Sequence, residues 1–189
     1  MLFEGQGLVE SHRHHSHMAG LYPFDVIDVD DGEKRNAVRA AYNTWVRRGT
    51  GLWSGWCVPW ASILHTHADN ASAAAFMIRA WDEFFCDPGH GSRHDAYRPG
   101  FSVMRGGPSA LLGIRPEDAG GRAVMQMDGQ CGAATAVLEM MAHDVNGKVE
   151  FFRGCPASWK TVSFENVRLS DGRRASGVRD NGRATVRFD

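Results

Sequence analysis

This sequence has almost no net charge, no long greasy run and no closely spaced cysteines. Twenty-one basic residues stand against twenty-two acidic ones, a formal net charge of −1. A nearly neutral chain carries no broad field to draw in DNA, RNA or an anionic membrane, so those partners are not expected. No apolar stretch approaches the ~20 residues that cross a bilayer, and none is read as a span. The opening residues Met1 to Gly7 lack the basic and apolar regions of a signal peptide, and the compartment is left unassigned. Cys57, Cys86, Cys131 and Cys155 stand far apart, and no CxxC pair exists to make a zinc ribbon or a redox centre. They are read as buried thiols, with two disulfides as the alternative. The acidic cluster from Asp28 to Asp31 fails as an EF-hand, because Glu33 and Arg39 stand where glycine and glutamate are needed.

What is present is the material of a folded domain. The 189 residues are 43% hydrophobic and 23% charged, enough for one domain with a real core, or one domain and an appendage. Six Trp and ten Phe supply aromatic faces that suit either core packing or stacking on sugar rings. The densest feature is Ser11-His12-Arg13-His14-His15-Ser16-His17, followed by Gly20-Leu21-Tyr22-Pro23. So many donors in one short run suit a polar pocket for a hydroxyl-rich ligand, a metal site, or a brace for a loop.

Periodicity divides the chain in two. Residues 1–32 read as loop with short ordered pieces. Asp30 or Asp31 caps a helix over 33–48, with Val38, Ala41, Tyr42, Trp45 and Val46 on one stripe. A second helix is expected from about Ser54 to His67. A third, capped by Asp69-Asn70, runs from Ala71 to Phe85 with its stripe read as core. Residues 86–127, rich in Gly and Pro and carrying His90, His94 and Arg98, form a long connection of the sort that lines sites. Asp128-Gly129-Gln130-Cys131-Gly132 opens a last helix through about Ala142. Beyond Asp144 the period becomes that of strands, over 148–152, 161–169 and 184–188, with turns at Ser170-Asp171-Gly172 and Asp180-Asn181-Gly182. The arginine-rich end, Arg173, Arg174, Arg179, Arg183 and Arg187, is broken by Asp and Ser and reads as a solvated hairpin face.

Two features carry possible chemistry. His14 and His17 could meet on one helical turn around a metal, but no HExxH frame accompanies them, and the Arg13 cation opposes a dication. Arg13 and His14 suit hydroxyls better, the guanidinium as a rigid planar fork. Asp128 reads by pattern as a helix N-cap. Such a position is also suited to a base, or to a group that orients one. Among other acids, Asp82, Glu83, Glu139 and Glu165 show no mark of a general acid.

These residues resemble a family. The block from Ser11 to Pro23, the segment Gly49-Thr50-Gly51-Leu52-Trp53-Ser54-Gly55-Trp56, the run Met127-Asp128-Gly129-Gln130-Cys131-Gly132 with Glu139-Met140-Met141, and Phe151 to Lys160 resemble, in order, four blocks of glycoside hydrolase family 95, the inverting α-L-fucosidases and α-L-galactosidases. Gln130-Cys131 departs from the family's Asn-Phe. The resemblance implies a mainly α fold: the last helices of an (α/α)6 toroid over 1–146, then a small antiparallel β segment over 147–189. It implies an oligosaccharide or glycoside substrate, no cofactor and no metal. Asp128 would activate water, Arg13 and His14 would contact the sugar, and Trp53 and Trp56 would stack on it. Family members are much longer, so the chain is expected to be a fragment lacking the general acid and inactive alone. The alternatives are a non-catalytic carbohydrate-binding remnant or complementing half that meets an oligomer partner or another chain through exposed helix faces, and a metallohydrolase built on the histidine run.

Overall fold

A computed structural model describes residues 7–104 and 124–189. Among the described residues are four α-helices and two small antiparallel sheets, so the chain is mainly α with a small β segment. A 3-10 turn, Ser16–Met18, precedes α1 (Arg35–Arg48), α2 (Cys57–His67) and α3 (Ala71–Phe85). After the long connection come α4 (Met127–Met141), β1 (Ala142–Val145), β2 (Lys148–Phe151), β3 (Thr161–Arg168), β4 (Arg174–Asp180) and β5 (Arg183–Phe188). No described helix is long and apolar enough to cross a membrane.

Helix α2 is the axis of the helical part. Ten of its eleven residues are buried, which is why its sequence shows no polar face. It packs against both α3 and α4. Pro59 sits in its first turn, where a missing N–H costs no hydrogen bond. Helix α3 begins where Asn70 Oδ1 accepts the Ala73 N–H at 3.2 Å, the cap expected from sequence. Helix α1 starts two residues later than expected. Asp31 instead closes the preceding turn, its carbonyl accepting from Arg35 N at 2.7 Å and its Oδ1 from Glu33 N. Val46, placed by period on the apolar stripe, is exposed.

The first core gathers Met18, Leu21, Val38, Trp45, Trp53, Val58, Leu64, Met77 and Phe85 and encloses the polar ring of His15. His15 is fully buried among the rings of Trp45, Trp53 and Trp60. Its Nε2 lies 3.0 Å from the Cys57 carbonyl, and its Nδ1 accepts the Trp45 Nε1–H at 3.2 Å. A carbonyl only accepts and an indole N–H only donates, so the ring is neutral with its proton on Nε2. Burial pushes its pKa down to about 3, against the partial support of the Cys57 carbonyl. His15 therefore ties the histidine run to α1 and to the start of α2.

The second core joins Ala74 and Ala75 of α3 and Met140 of α4 to Ala142, Phe152, Cys155, Phe164, Leu169 and Ala175. β1 and β2 pair through an Asn146-Gly147 turn with both φ angles positive, and β4 and β5 through the like turn at Asn181-Gly182. β3–β4–β5 form a meander with a bulge between Phe164 and Val167, where Asn166 takes φ 56°. Asp144 clips the sheets together by accepting from the Ser170 N–H and hydroxyl at 2.5 and 2.9 Å. Gly154 allows a close approach of the β segment to the helices. A Cβ there would meet Thr66 Oγ1 at 2.6 Å and Met140 Cα at 2.7 Å.

Three expectations are corrected here. Cys131 is exposed on α4, while Cys57, Cys86 and Cys155 are buried and all four are free. Burial pushes the Cys57 thiol up to about 12. Arg179 does not lie on a solvated face: its guanidinium donates to the carbonyls of Cys155 and Pro156 at 2.8 and 2.9 Å and holds that turn. The strand period starts at Ala142 rather than beyond Asp144.

The buried histidines set an acid limit on the fold. Below pH 6.5 an unfolded His15 binds a proton that the native ring refuses until about pH 3, so stability must fall as pH falls across that window. His65, pushed down to about 4 by burial, acts in the same direction. Each contributes about 1.4 kcal/mol of lost stability per pH unit. Urea melts between pH 6.5 and pH 4 should show this slope, and His15→Gln should flatten it by one proton's worth. An unchanged slope in the variant would contradict the assignment.

Candidate functional site

The glycine-rich segment before α2 is where distant parts of the chain meet. Ser11 Oγ donates to the Gly49 carbonyl at 2.9 Å and accepts the Leu52 N–H. Ser102 Oγ lies 2.6 Å from the Trp53 carbonyl, and Thr50 Oγ1 donates to that of Phe101 at 2.6 Å. Gly55 N donates to the His94 carbonyl at 2.8 Å. A Cβ on Gly55 would lie 2.0 Å from the Arg93 carbonyl oxygen, so a side chain is excluded by backbone. The next N–H, that of Trp56, donates to Gln126 Oε1 at 2.8 Å. The histidine run, the 92–103 connection and the start of α4 thus converge on residues 49–56.

Each expected site residue has a defined place. His14 is exposed, with its ring 5.3 Å from the Trp56 ring and 5.0 Å from that of His12. Burial first, then the charges of Arg13 and His12, hold its pKa below the ordinary value, so it is neutral at pH 7 and able both to donate and to accept. Arg13 is half-buried and makes no ion pair or side-chain hydrogen bond among the described residues. Trp56 is half-buried and stacked on Trp60 at 5.7 Å. Trp53 is instead 3% exposed, stacked on Trp45 at 5.6 Å and edge-on to His15, and it presents no free face for a ligand.

Asp128 lies exposed in the first turn of α4, accepting among the described residues the neighbouring Gly129 N–H at 3.0 Å. It is not the N-cap. That position belongs to Gln126, extended at φ −120°, whose N–H donates to the Ser92 carbonyl at 3.0 Å and whose own carbonyl accepts the Ser92 hydroxyl. Gly129, buried beside Asp128, faces the Trp56 backbone and the Trp81 indole, which a Cβ would meet at 3.6 and 3.4 Å. Trp56 is therefore the shared neighbour of His14 and of the turn that carries Asp128. Gln126 was invisible to sequence reasoning, because its role depends on a partner seventy residues away.

Among the described residues the histidine run assembles no metal site. His15 spends both nitrogens on the core, His14 lies on Trp56, and His17 lines an apolar cleft of about 240 Å³ with Met18, Leu21, Ile27 and Val38. Among the described residues the side chains grouped to hold an ion are His67, Glu139 and His143. Burial alone would push the Glu139 carboxyl up, but the facing imidazoles of His143 and His67 outweigh it and hold it at about 2. Of the 86–127 connection, His90, His94 and Arg98 meet Asp82, Asp95 and Glu83, and residues 105–123 lie outside the described residues.

Comparison with known proteins gives the family. Residues 6–141 match the glycosyl hydrolase family 95 catalytic domain, and the chain belongs to that family of glycoside hydrolases. It is similar to a protein named "Probable alpha-fucosidase A" from Aspergillus oryzae (strain ATCC 42149 / RIB 40). The two are 27% identical over 184 residues, covering 90% of this chain and 22% of that protein. The chain thus spans about a fifth of that relative's length.

The junction at residues 55–56 yields a direct test. Gly55→Ala must displace the Arg93 backbone and should cost about 1–3 kcal/mol in a denaturant melt. Gly51→Ala, with open space at its Cβ position, should stay within about 0.5 kcal/mol of the parent. Equal effects would refute the close approach.

Proposed function

We propose that this chain carries the sugar-gripping and water-activating part of an inverting α-L-fucosidase-like site. Asp128 is the base or the group that activates one, Arg13 and His14 bind hydroxyls, and Trp56 offers the stacking face, with Trp53 supporting it from the core. The helices are hairpins of an (α/α)6 toroid, over 1–146, followed by a β segment over 147–189. The observation that carries the reading is the contact series from the His14 ring through Trp56 to the opening turn of α4, within a chain of this family.

The chemistry expected is partial. Inversion needs an acid and a base ~6.5–9.5 Å apart on opposite faces of the sugar. The glutamates of this chain that have close partners are engaged elsewhere: Glu139 with two histidines, Glu83 with Arg98, Glu150 with Arg153. In this reading the general acid belongs to another portion of the family's domain, and the chain alone does not turn over. A second reading, a complementing half, is favoured by the outer face of α4. There Met127, Cys131, Ala134 and Leu138 lie exposed at helical spacing, Met127 64% and Leu138 47% exposed. An apolar stripe on the side away from the core suits a neighbouring helix of another chain.

Three measurements separate these readings. Ligand-observed NMR should detect L-fucose binding that Arg13→Ala or His14→Ala weakens about tenfold or more. Asp128→Asn should leave affinity within about twofold, since its role is in the reaction. An aryl α-L-fucoside should not be hydrolysed by the chain alone; saturable release would overturn the partial-site reading, and absence of sugar binding would overturn the sugar site. Light scattering should give a mass above the single chain's 20.8 kDa, returned to that value by Leu138→Glu. A parent monomer would remove the complementing half.

A further inference from the structure

Three imidazole and carboxylate side chains that the sugar site does not use converge where α2, α4 and β1 meet. His67 is the last residue of α2, Glu139 stands in the last turn of α4, and His143 follows four residues on in β1. Glu139 Oε2 lies 3.1 Å from His143 Nδ1 and 3.6 Å from His67 Nε2. The two imidazole rings are perpendicular, with centroids 4.4 Å apart, and one ligand atom from each of the three residues lies within 4.8 Å of the others. Behind His67, its other nitrogen, Nδ1, faces Asp25 Oδ1 at 3.9 Å.

We infer that His67, Glu139 and His143 form a three-ligand site for a divalent transition cation of the zinc class, with Asp25 as the outer carboxylate that orients His67. The first ground is an unmet valence. His67 is 5% exposed, yet its Nε2 has no hydrogen-bond partner, and neither has the buried Asp25 Oδ1. The separations of 3.6 and 3.9 Å are too long for hydrogen bonds, and the 3.6 Å one faces the centre of the group. A neutral imidazole has a single N–H to offer. With a carboxylate facing each nitrogen of His67, a neutral ring points one lone pair at an anion, which either a second proton on the ring or a cation between them relieves.

The second ground is geometry and ligand chemistry. Zinc takes nitrogen and carboxylate oxygen at about 2.0–2.2 Å in a tetrahedron, which sets ligand atoms about 3.3 Å apart. The 3.1 and 3.6 Å separations bracket that value. Two neutral imidazoles and one carboxylate are a zinc donor set, and a carboxylate behind a ligating histidine is the common means of fixing its tautomer. The third ground is position. The three ligands come from elements that meet between the helical part and the first β hairpin, and Asp25 adds the turn after the histidine run. An ion there ties the end of α2 to the α4–β1 junction, with the Asp25 turn behind it, so its role is to lock the fold.

The full chain, stripped with a chelator, tests this directly. Cobalt(II) titrated at neutral pH should produce visible bands that saturate at one equivalent and vanish on adding zinc. Zinc at a hundredfold excess over its Kd should raise Tm by about 5–10 °C. Glu139→Gln, which keeps the side chain's shape, and His143→Ala should each lose the bands and the shift. His12→Ala/His17→Ala should keep both, separating this site from the N-terminal histidines. Absence of stoichiometric cobalt bands in the parent, bands that persist in Glu139→Gln and His143→Ala, or bands that disappear with His12 and His17 would each overturn the site. Sugar binding is read separately, so failure here leaves the glycosidase reading intact and the reverse also holds.

Discussion

The architecture rests on a neutral imidazole buried among tryptophans. His15 gives its one proton to the Cys57 carbonyl and takes one hydrogen bond from Trp45, and no room is left for a charge. Because those two partners begin α2 and lie in α1, the ring fixes where the preceding residues run. Arg13 and His14 are carried outward by that anchor, one residue from a core that excludes water. The arrangement makes the histidine run two things in succession: a structural pin at His15, and exposed polar groups on either side of it.

The same logic places the other half of the candidate site. Gly55 lets the backbone press against Arg93, and the Trp56 N–H reaches Gln126, so the helix bearing Asp128 is hung from the segment that begins α2. Trp56 therefore serves both sides: its ring meets His14 and its backbone positions α4. The cost of such a junction falls on residues that cannot vary in size. The benefit is that a surface formed from three distant stretches of chain needs little additional bracing. Farther from it, the ends of α2 and α4 meet β1 with polar groups that are not all paired, and that imbalance marks a second, separate centre.

Much of the fold was legible from residues alone, and the exceptions have physical causes. α3 is bounded as expected because its cap is local, Asn70 bonding three residues ahead, and its stripe is strong. α2 begins later than expected because Ser54 and Gly55 are held in a turn by the 93–102 connection, a partner that local pattern cannot reveal. β1 was missed because Ala142 to Val145 follows a helix without a breaker, and only pairing with β2 makes it a strand. At the site, the motif residues Asp128, His14 and Trp56 were visible as motif. Trp53 reads as an equal candidate in sequence, since nothing local tells a tryptophan under the surface from one upon it. Gln126 and the His67–Glu139–His143 group escaped notice because Trp56 and His67 come to them from far along the chain, joined by packing alone.

The account stands or falls on the state of His15. A two-bond proton–nitrogen correlation spectrum of the histidine rings at neutral pH reads that state directly. The expected result is a single, slowly exchanging ring with its proton on Nε2 and an unprotonated Nδ1, assigned to His15 by its loss in His15→Gln. A ring protonated on Nδ1, or one averaging between both tautomers as in free solution, would contradict the pin and with it the placement of Arg13 and His14.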